Sequence, residues 1–247
     1  MNSTDASTSM RWVPLESNPE LFTNWAAALG LDSTKYAYHD IFGLDPALLS
    51  MVPQPVEAVL LLFPVSEGYE ANRHKEDKDV EITQEGGKDG ELIWWKQTIG
   101  NACGTMGLLH SLANTSVRSS LPDSSPLAKL ISKSVPLNPI QRAELLTTSR
   151  ELEAAHTTAA SGGQSVAPAA EENIDLHFTC FVRDQEKGEL VELDGRRKGP
   201  VHRGVRLAAQ EDLLEGACNW VRDNYMAMDP NAVQFNLIAL GPAGSDD

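Results

Sequence analysis

The sequence predicts a single α/β domain, built on a central antiparallel sheet with helices on both sides. Three observations predict it. Residues 56–65 are an apolar run, interrupted by Glu57, of the length of a buried strand. Residues 174–182 and 190–194 flank the polar turn Asp184-Gln185-Glu186-Lys187, which is the pattern of a hairpin. Residues 18–29, bounded by Pro19 and Gly30, and residues 211–226, with an apolar face, read as helices. A chain of 247 residues that is 41% hydrophobic can bury one sizeable core.

The elements follow in order. Residues 18–29 form a first helix, with Pro19 in its first turn and Gly30 as its stop. Asp45-Pro46 opens a short second helix that ends before Pro53. A central strand spans residues 56–63. Residues 70–90 are dense in Lys, Glu, Asp and Gly and read as a mobile surface loop. Residues 92–96, with Trp94 and Trp95, lead into a helix that Asn101 would cap. Residues 116–125 are a polar connection, 127–131 a short helix and 139–155 a longer one. Residues 156–173 are rich in Gly, Ser and Ala without periodicity and read as a long loop. The hairpin follows, then the helix 211–226 with Leu213, Leu214, Ala217, Trp220 and Val221 on its apolar face, then a final strand at 233–240. Residues 1–10 and 242–247 are expected to be tails, leaving 11–241 as the domain. No internal repeat or coiled-coil heptad stands out.

The segment Gln97-Thr98-Ile99-Gly100-Asn101-Ala102-Cys103-Gly104-Thr105 carries the chemistry. Ala102, Met106, Leu109 and Ala113 recur at helical spacing, so Cys103 falls in a first turn, where unpaired N–H groups favour thiolate over thiol. Gly107 lies one turn further on the same face and leaves room for a close neighbour. A lone cysteine is otherwise a small buried hydrophobe. Far downstream stand His177 in an apolar strand and Asp194 in Glu192-Leu193-Asp194-Gly195. A turn centred on Gln185 and Glu186 would set His177 directly opposite Asp194, with Cβ atoms about 4.5–5.5 Å apart. That register groups Phe178, Cys180 and Val182 with Val191 and Leu193 on a core face. A slip of one residue would put the pair on opposite faces. Asp175 is the rival carboxylate, nearly 7 Å along the strand. Thiol, imidazole, carboxylate and the Gln97 amide are the parts of a cysteine hydrolase: nucleophile, proton carrier, orienting group and oxyanion donor. His110 follows Cys103 by two helical turns, about 10 Å, too far to activate it. His39, His74, His156 and His202 read as surface residues.

These residues resemble the ubiquitin C-terminal hydrolase family, compact cysteine peptidases with a papain-like catalytic arrangement. The resemblance extends through Arg11-Trp12-Val13-Pro14-Leu15-Glu16, residues 45–53, residues 59–64, Asp175-Leu176-His177-Phe178, residues 192–196 and residues 235–240, in the family's order. It implies that Cys103 is the nucleophile, His177 the general base, Asp194 its partner, and Gln97 the oxyanion-hole side chain with the Cys103 N–H. It implies hydrolysis after ubiquitin's C-terminal glycine, releasing small adducts or short extensions. Residues 156–173 match the family's crossover loop, so Ser161, Gly162, Gly163 and Gln164 are expected to gate what passes to the site.

Composition bounds the rest. A net charge of −15 argues against nucleic acid and anionic membranes and permits a basic partner such as ubiquitin's arginine-bearing tail. Acidity that only maintains solubility is the plain alternative. No run approaches the ~20 apolar residues of a membrane span, and the N-terminus lacks a signal segment. Three cysteines without Cys-x-x-Cys give no disulfide framework and no metal-ligand spacing, which suits a reducing compartment. The expectation is a cytoplasmic monomer without cofactor or metal, with nuclear entry left open. Three alternatives stand beside a ubiquitin hydrolase: a silent ubiquitin-binding module, a hydrolase of the neddylation modifier, and a cysteine peptidase of unrelated specificity.

Overall fold

A computed structural model of the chain describes residues 10–163 and 175–244. The elements in order are α1 (Pro19–Leu29), β1 (Tyr36–Asp40), α2 (Pro46–Leu49), β2 (Ala58–Pro64), α3 (Glu67–Asp77), α4 (Cys103–Ala113), α5 (Pro126–Ser134), α6 (Pro139–Thr147), α7 (Arg150–Ala160), β3 (Leu176–Asp184), β4 (Glu189–Leu193), β5 (Val201–Arg206), α8 (Leu213–Val221) and β6 (Asn236–Pro242). Local chemistry sets the ends. Asn18 accepts the N–H groups of Glu20 and Leu21 to start α1, and Gly30, at φ 120°, stops it. Asp45 starts α2 in the same way.

The six strands lie in the order β1-β6-β2-β3-β4-β5, and every neighbouring pair is antiparallel. Alternation along the strands divides the core. Leu60, Phe178, Cys180, Val182, Val191 and Leu193 pack with Phe22 and Trp25 of α1, Met106 and Leu109 of α4, and Leu152 of α7. Val59, Leu61, Phe63, Phe181 and Leu237 pack with Leu213, Leu214 and Ala217 of α8, Leu49 of α2 and Tyr69 of α3. Helices therefore cover both faces, as expected. Among the described residues no helix is long and apolar enough to cross a membrane.

Several expectations are corrected. The largest concerns residues 70–90, read as a mobile loop, of which 70–77 belong to α3. Ser66 caps this helix by accepting the Tyr69 N–H, and Glu67 and Glu70 precede His74 and Lys75 along the helix dipole. Its polar faces are held by ion pairs to distant arginines: Glu70 to Arg196, Glu76 and Asp77 to Arg197, and Glu76 to Arg203.

The single helix expected at 139–155 is two, α6 and α7. They break at Thr148 and Ser149, where the Ser149 hydroxyl accepts the Leu152 N–H and starts a new helix. Residues 156–160 of the expected loop complete α7; Ser161 and Gly162 turn back onto its last carbonyls. Gln164 and the rest of that segment lie outside the described residues. β1 and β5 were not expected, and the final helix ends in a π-helical turn, Arg222–Met226.

The hairpin register differs by two residues from the expected one. Cys180 faces Leu193 and Val182 faces Val191, so Asp194 continues opposite Thr179, diagonal to His177. The cause is the turn. Asp184 pairs with Glu189, its carboxylate accepts the N–H groups of Glu186 and Lys187, and Gly188 takes φ 61°. A shift of two preserves every side-chain face, so the intended pair still meets.

Candidate active site

The chain approaching α4 is fixed by the N-terminal segment. Gly100 donates to the Met10 carbonyl and accepts from the Trp12 N–H, each at 2.9 Å. Asn101 then adopts φ 59°, and Ala102, not Asn101, occupies the cap position, without a side-chain cap bond. Cys103 is the first helical residue, as expected, and is partly exposed. An added Cβ on Gly107 would lie 3.2 Å from Leu60 Cδ2, so the glycine does admit a close neighbour from β2.

β3 brings His177 to the sulfur. Nε2 of His177 lies 2.7 Å from Asp194 Oδ1. The ring's other nitrogen, Nδ1, is left to hydrogen-bond Cys103. The Phe178 and Gly104 N–H groups also point at the sulfur. Burial alone would raise the thiol's pKa. The hydrogen bond and charge of His177, with those two N–H groups, outweigh it and hold the thiol below its ordinary value. Burial would likewise lower the His177 pKa. Asp194's charge and hydrogen bond, then Cys103, overcome that and push it up to about 9. The two shifts together favour a thiolate–imidazolium pair.

Asp194 is fully buried and multiply held. Its Oδ1 accepts from His177 and from the Arg196 N–H at 2.8 Å, and its Oδ2 accepts from the Tyr69 hydroxyl at 2.8 Å. Its backbone carbonyl accepts from Trp94 Nε1 at 2.9 Å. Burial favours its neutral form, but the imidazolium and these donors keep it well below the ordinary carboxylate range. Asp175, the rival, is exposed, and its carbonyl accepts the Val65 N–H.

Gln97 sits on the segment entering α4, and its N–H donates to the Gly195 carbonyl at 2.9 Å, next to Asp194. Nε2 donates to the Ile99 carbonyl at 3.1 Å, and Oε1 is buried without a hydrogen-bond partner. One amide hydrogen remains for a ligand.

The histidines separate by environment. His110 is buried behind the site: Nε2 accepts the Trp95 N–H and Nδ1 donates to the Leu193 carbonyl, each at 3.1 Å. Burial lowers its pKa to about 4, so it is a neutral support for β4, which ends at Leu193 just before Asp194. His156 was expected on the surface but is buried between Trp12 and Trp25, since α7 extends through it. His39 is half-buried and bonds the Pro242 carbonyl; His74 and His202 stand beside Glu70 and Glu189 at the surface. The supporting roles of Tyr69, Trp94 and His110 were not expected from the sequence. Only the Ser66 cap, three residues before Tyr69, could have signalled the first of them. Among the described residues no cluster of three or more His, Cys, Asp or Glu could hold a metal ion.

A cysteine at a helix start, its thiol bonded to an imidazole that a buried carboxylate holds from behind, defines a cysteine hydrolase with a papain-like arrangement. The model of the family described as ubiquitin carboxyl-terminal hydrolase, family 1, matches residues 12–227. The chain is 37% identical to ubiquitin carboxyl-terminal hydrolase 3 of Arabidopsis thaliana, covering 96% of each. It is 32% identical to the rat isozyme L1, over 94% of this chain and 98% of that one. The fold matches the catalytic domain of Trichinella spiralis UCH37 bound to ubiquitin vinyl methyl ester: TM-score 0.69, 23% identity, 94% of this chain and 95% of that one. The chain belongs to the ubiquitin carboxyl-terminal hydrolase family, a family of cysteine-type deubiquitinating peptidases.

Proposed function

We propose that this chain hydrolyses the bond after ubiquitin's C-terminal glycine, freeing small amines, thiols or short peptide extensions. The observation that carries this is the hydrogen-bonded series Cys103–His177–Asp194, with Cys103 half-buried as a residue and the other two buried. The Cys103 thiolate attacks the glycine carbonyl carbon, and the carbonyl oxygen becomes an oxyanion. The Cys103 N–H and the remaining Gln97 N–H stabilise that charge. As the tetrahedral species collapses, His177 gives its proton to the leaving group, and an acyl-enzyme remains. His177, now neutral, takes a proton from water; the hydroxide equivalent displaces the sulfur, and the carboxylic acid and thiolate are restored. Asp194 holds the imidazole ring and stabilises its charged form throughout.

The chain's net charge of −15 supports a basic modifier as the ligand, and the neddylation modifier is a second substrate to compare. Three cysteines, all free, support a reducing compartment such as the cytoplasm. A ubiquitin electrophile should label Cys103 alone, and a fluorogenic ubiquitin amide should turn over. Cys103→Ala should bind ubiquitin without turnover. A folded sample that is neither labelled nor active would be a binding module instead. Equal cleavage of short unrelated peptides would make it a general peptidase.

A further inference from the structure

The first turn of α4 carries the thiol, and its N-cap residue, Ala102, makes no side-chain cap bond. The turn has to be held, because the Gly104 N–H has to stay aimed at the sulfur. Two contacts do so, one directly to the N-terminal segment and one to it through His156 of α7. Gly104 packs on Leu15, where an added Cβ would come within 3.0 Å of Cδ1. One residue further, the Thr105 hydroxyl meets His156 Nδ1 at 3.0 Å, and His156 Nε2 meets the Val13 carbonyl at 2.8 Å.

The tautomer follows from the partners. A carbonyl only accepts, so Nε2 carries the hydrogen toward Val13, and Nδ1 accepts the Thr105 O–H. The ring lies 4.5 Å from Trp12 and 5.6 Å from Trp25, centroid to centroid, so it cannot turn away. Burial lowers its pKa to about 4, which keeps it neutral and both bonds intact near neutral pH.

We infer that His156 is a positioning residue for Cys103: it ties Thr105 of α4 to Val13, and so fixes the first turn against the sulfur. The inference rests on Cys103 being the nucleophile. It concerns the thiol's reactivity, which can be read without ubiquitin.

The test is the pH dependence of Cys103 alkylation by iodoacetamide in the full chain, with the modified peptide located by mass spectrometry. His156→Phe keeps the ring packing and loses both bonds. Thr105→Val keeps the shape of the hydroxyl partner and loses one. Both should move the alkylation midpoint up by about half a pH unit, the scale of a first-turn dipole contribution, so that alkylation at a pH below the native midpoint is slowed about threefold. His156→Gln, which retains one donor and one acceptor, should restore most of the rate. A purely structural His156 would lower the melting temperature and leave the midpoint where it is; that result, in either folded variant, overturns the proposal. If His156→Phe does not fold, Thr105→Val decides by the same criterion. A normal alkylation profile without ubiquitin turnover would count against the proposed substrate, not against His156.

Discussion

The Tyr69 hydroxyl donates a 2.8 Å hydrogen bond to Asp194 Oδ2, so α3 reaches across the molecule to the carboxylate that holds His177. Tyr69→Phe keeps the ring contacts with Phe63 and Tyr225, at 4.7 and 5.8 Å. It leaves a buried carboxylate oxygen unmet, which costs about 1–3 kcal/mol. The expected outcome is a kcat lower by about tenfold with KM little changed. Steady-state kinetics on a ubiquitin amide check this, and an unaltered kcat would separate Tyr69 from the reaction.

The helix carrying Tyr69 depends on Arg197. This guanidinium is nearly enclosed, with 3% of its side chain exposed, and meets Glu76 at 2.7 Å and Asp77 at 2.8 Å. Arg197→Leu removes the cation and strands the buried Asp77, whose Oδ2 already lacks a partner. Breaking one side of such a pair costs about 3 kcal/mol. Urea unfolding should show that loss in the midpoint. A second variant, Arg197→Leu with Asp77→Leu, should recover part of it, because no unpaired charge then remains.

α3 also marks where the sequence stops being legible. α1 announces itself through Asn18, Pro19 and Gly30 because its caps are local. Cys103, His177 and Asp194 are legible because a nucleophile at a helix start and a hairpin pair are short-range patterns. The hairpin tolerated a two-residue error since strand faces repeat every second residue. α3 has one buried apolar anchor, Tyr69, and its other supports are arginines about 120 residues downstream, which no window of neighbouring residues contains. β5 hides for a related reason: Val201–Arg206 alternates half-buried with exposed residues and includes Gly204, so its strand character comes from pairing with β4.

The carboxylate also sets the pH range. In the native chain the rate should fall as pH drops through the lowered Cys103 value and as it rises through about 9, where His177 loses its proton. Asp194→Asn removes the charge that holds His177 up. Burial is then opposed by Cys103 and no longer by a carboxylate charge, so the alkaline limb should move to lower pH and the thiol value should rise. Stability has a separate signature. The raised His177 value contributes stability below its ordinary pKa that is lost as pH climbs toward 9. The lowered Cys103 value contributes stability that is lost as pH falls. The folded imidazole gains the proton that the thiol gives up, so the two slopes oppose and stability should vary little between these limits. A kcat/KM–pH profile and denaturant midpoints across the same range test both statements.

Gln97 should separate activity from stability. Its Oε1 is buried and unpaired, so the amide gains the fold little beyond the 3.1 Å bond from Nε2 to the Ile99 carbonyl. Met has nearly the same length and no polar atoms to satisfy. Gln97→Met gives up that one bond and also removes the orphan oxygen, two effects of opposite sign and similar size, so stability should stay within about 1 kcal/mol. The reaction should respond differently. An oxyanion donor acts on charge that exists only in the transition state, and losing one costs about 10²–10³ in kcat. KM for a ubiquitin amide should hardly change, because the ground-state carbonyl does not depend on that donor. Alkylation of Cys103 should also persist, since iodoacetamide forms no oxyanion at carbon. If stability and turnover instead fall together, with alkylation following them, Gln97 serves the packing of the segment before α4, and the charge must be met by backbone alone.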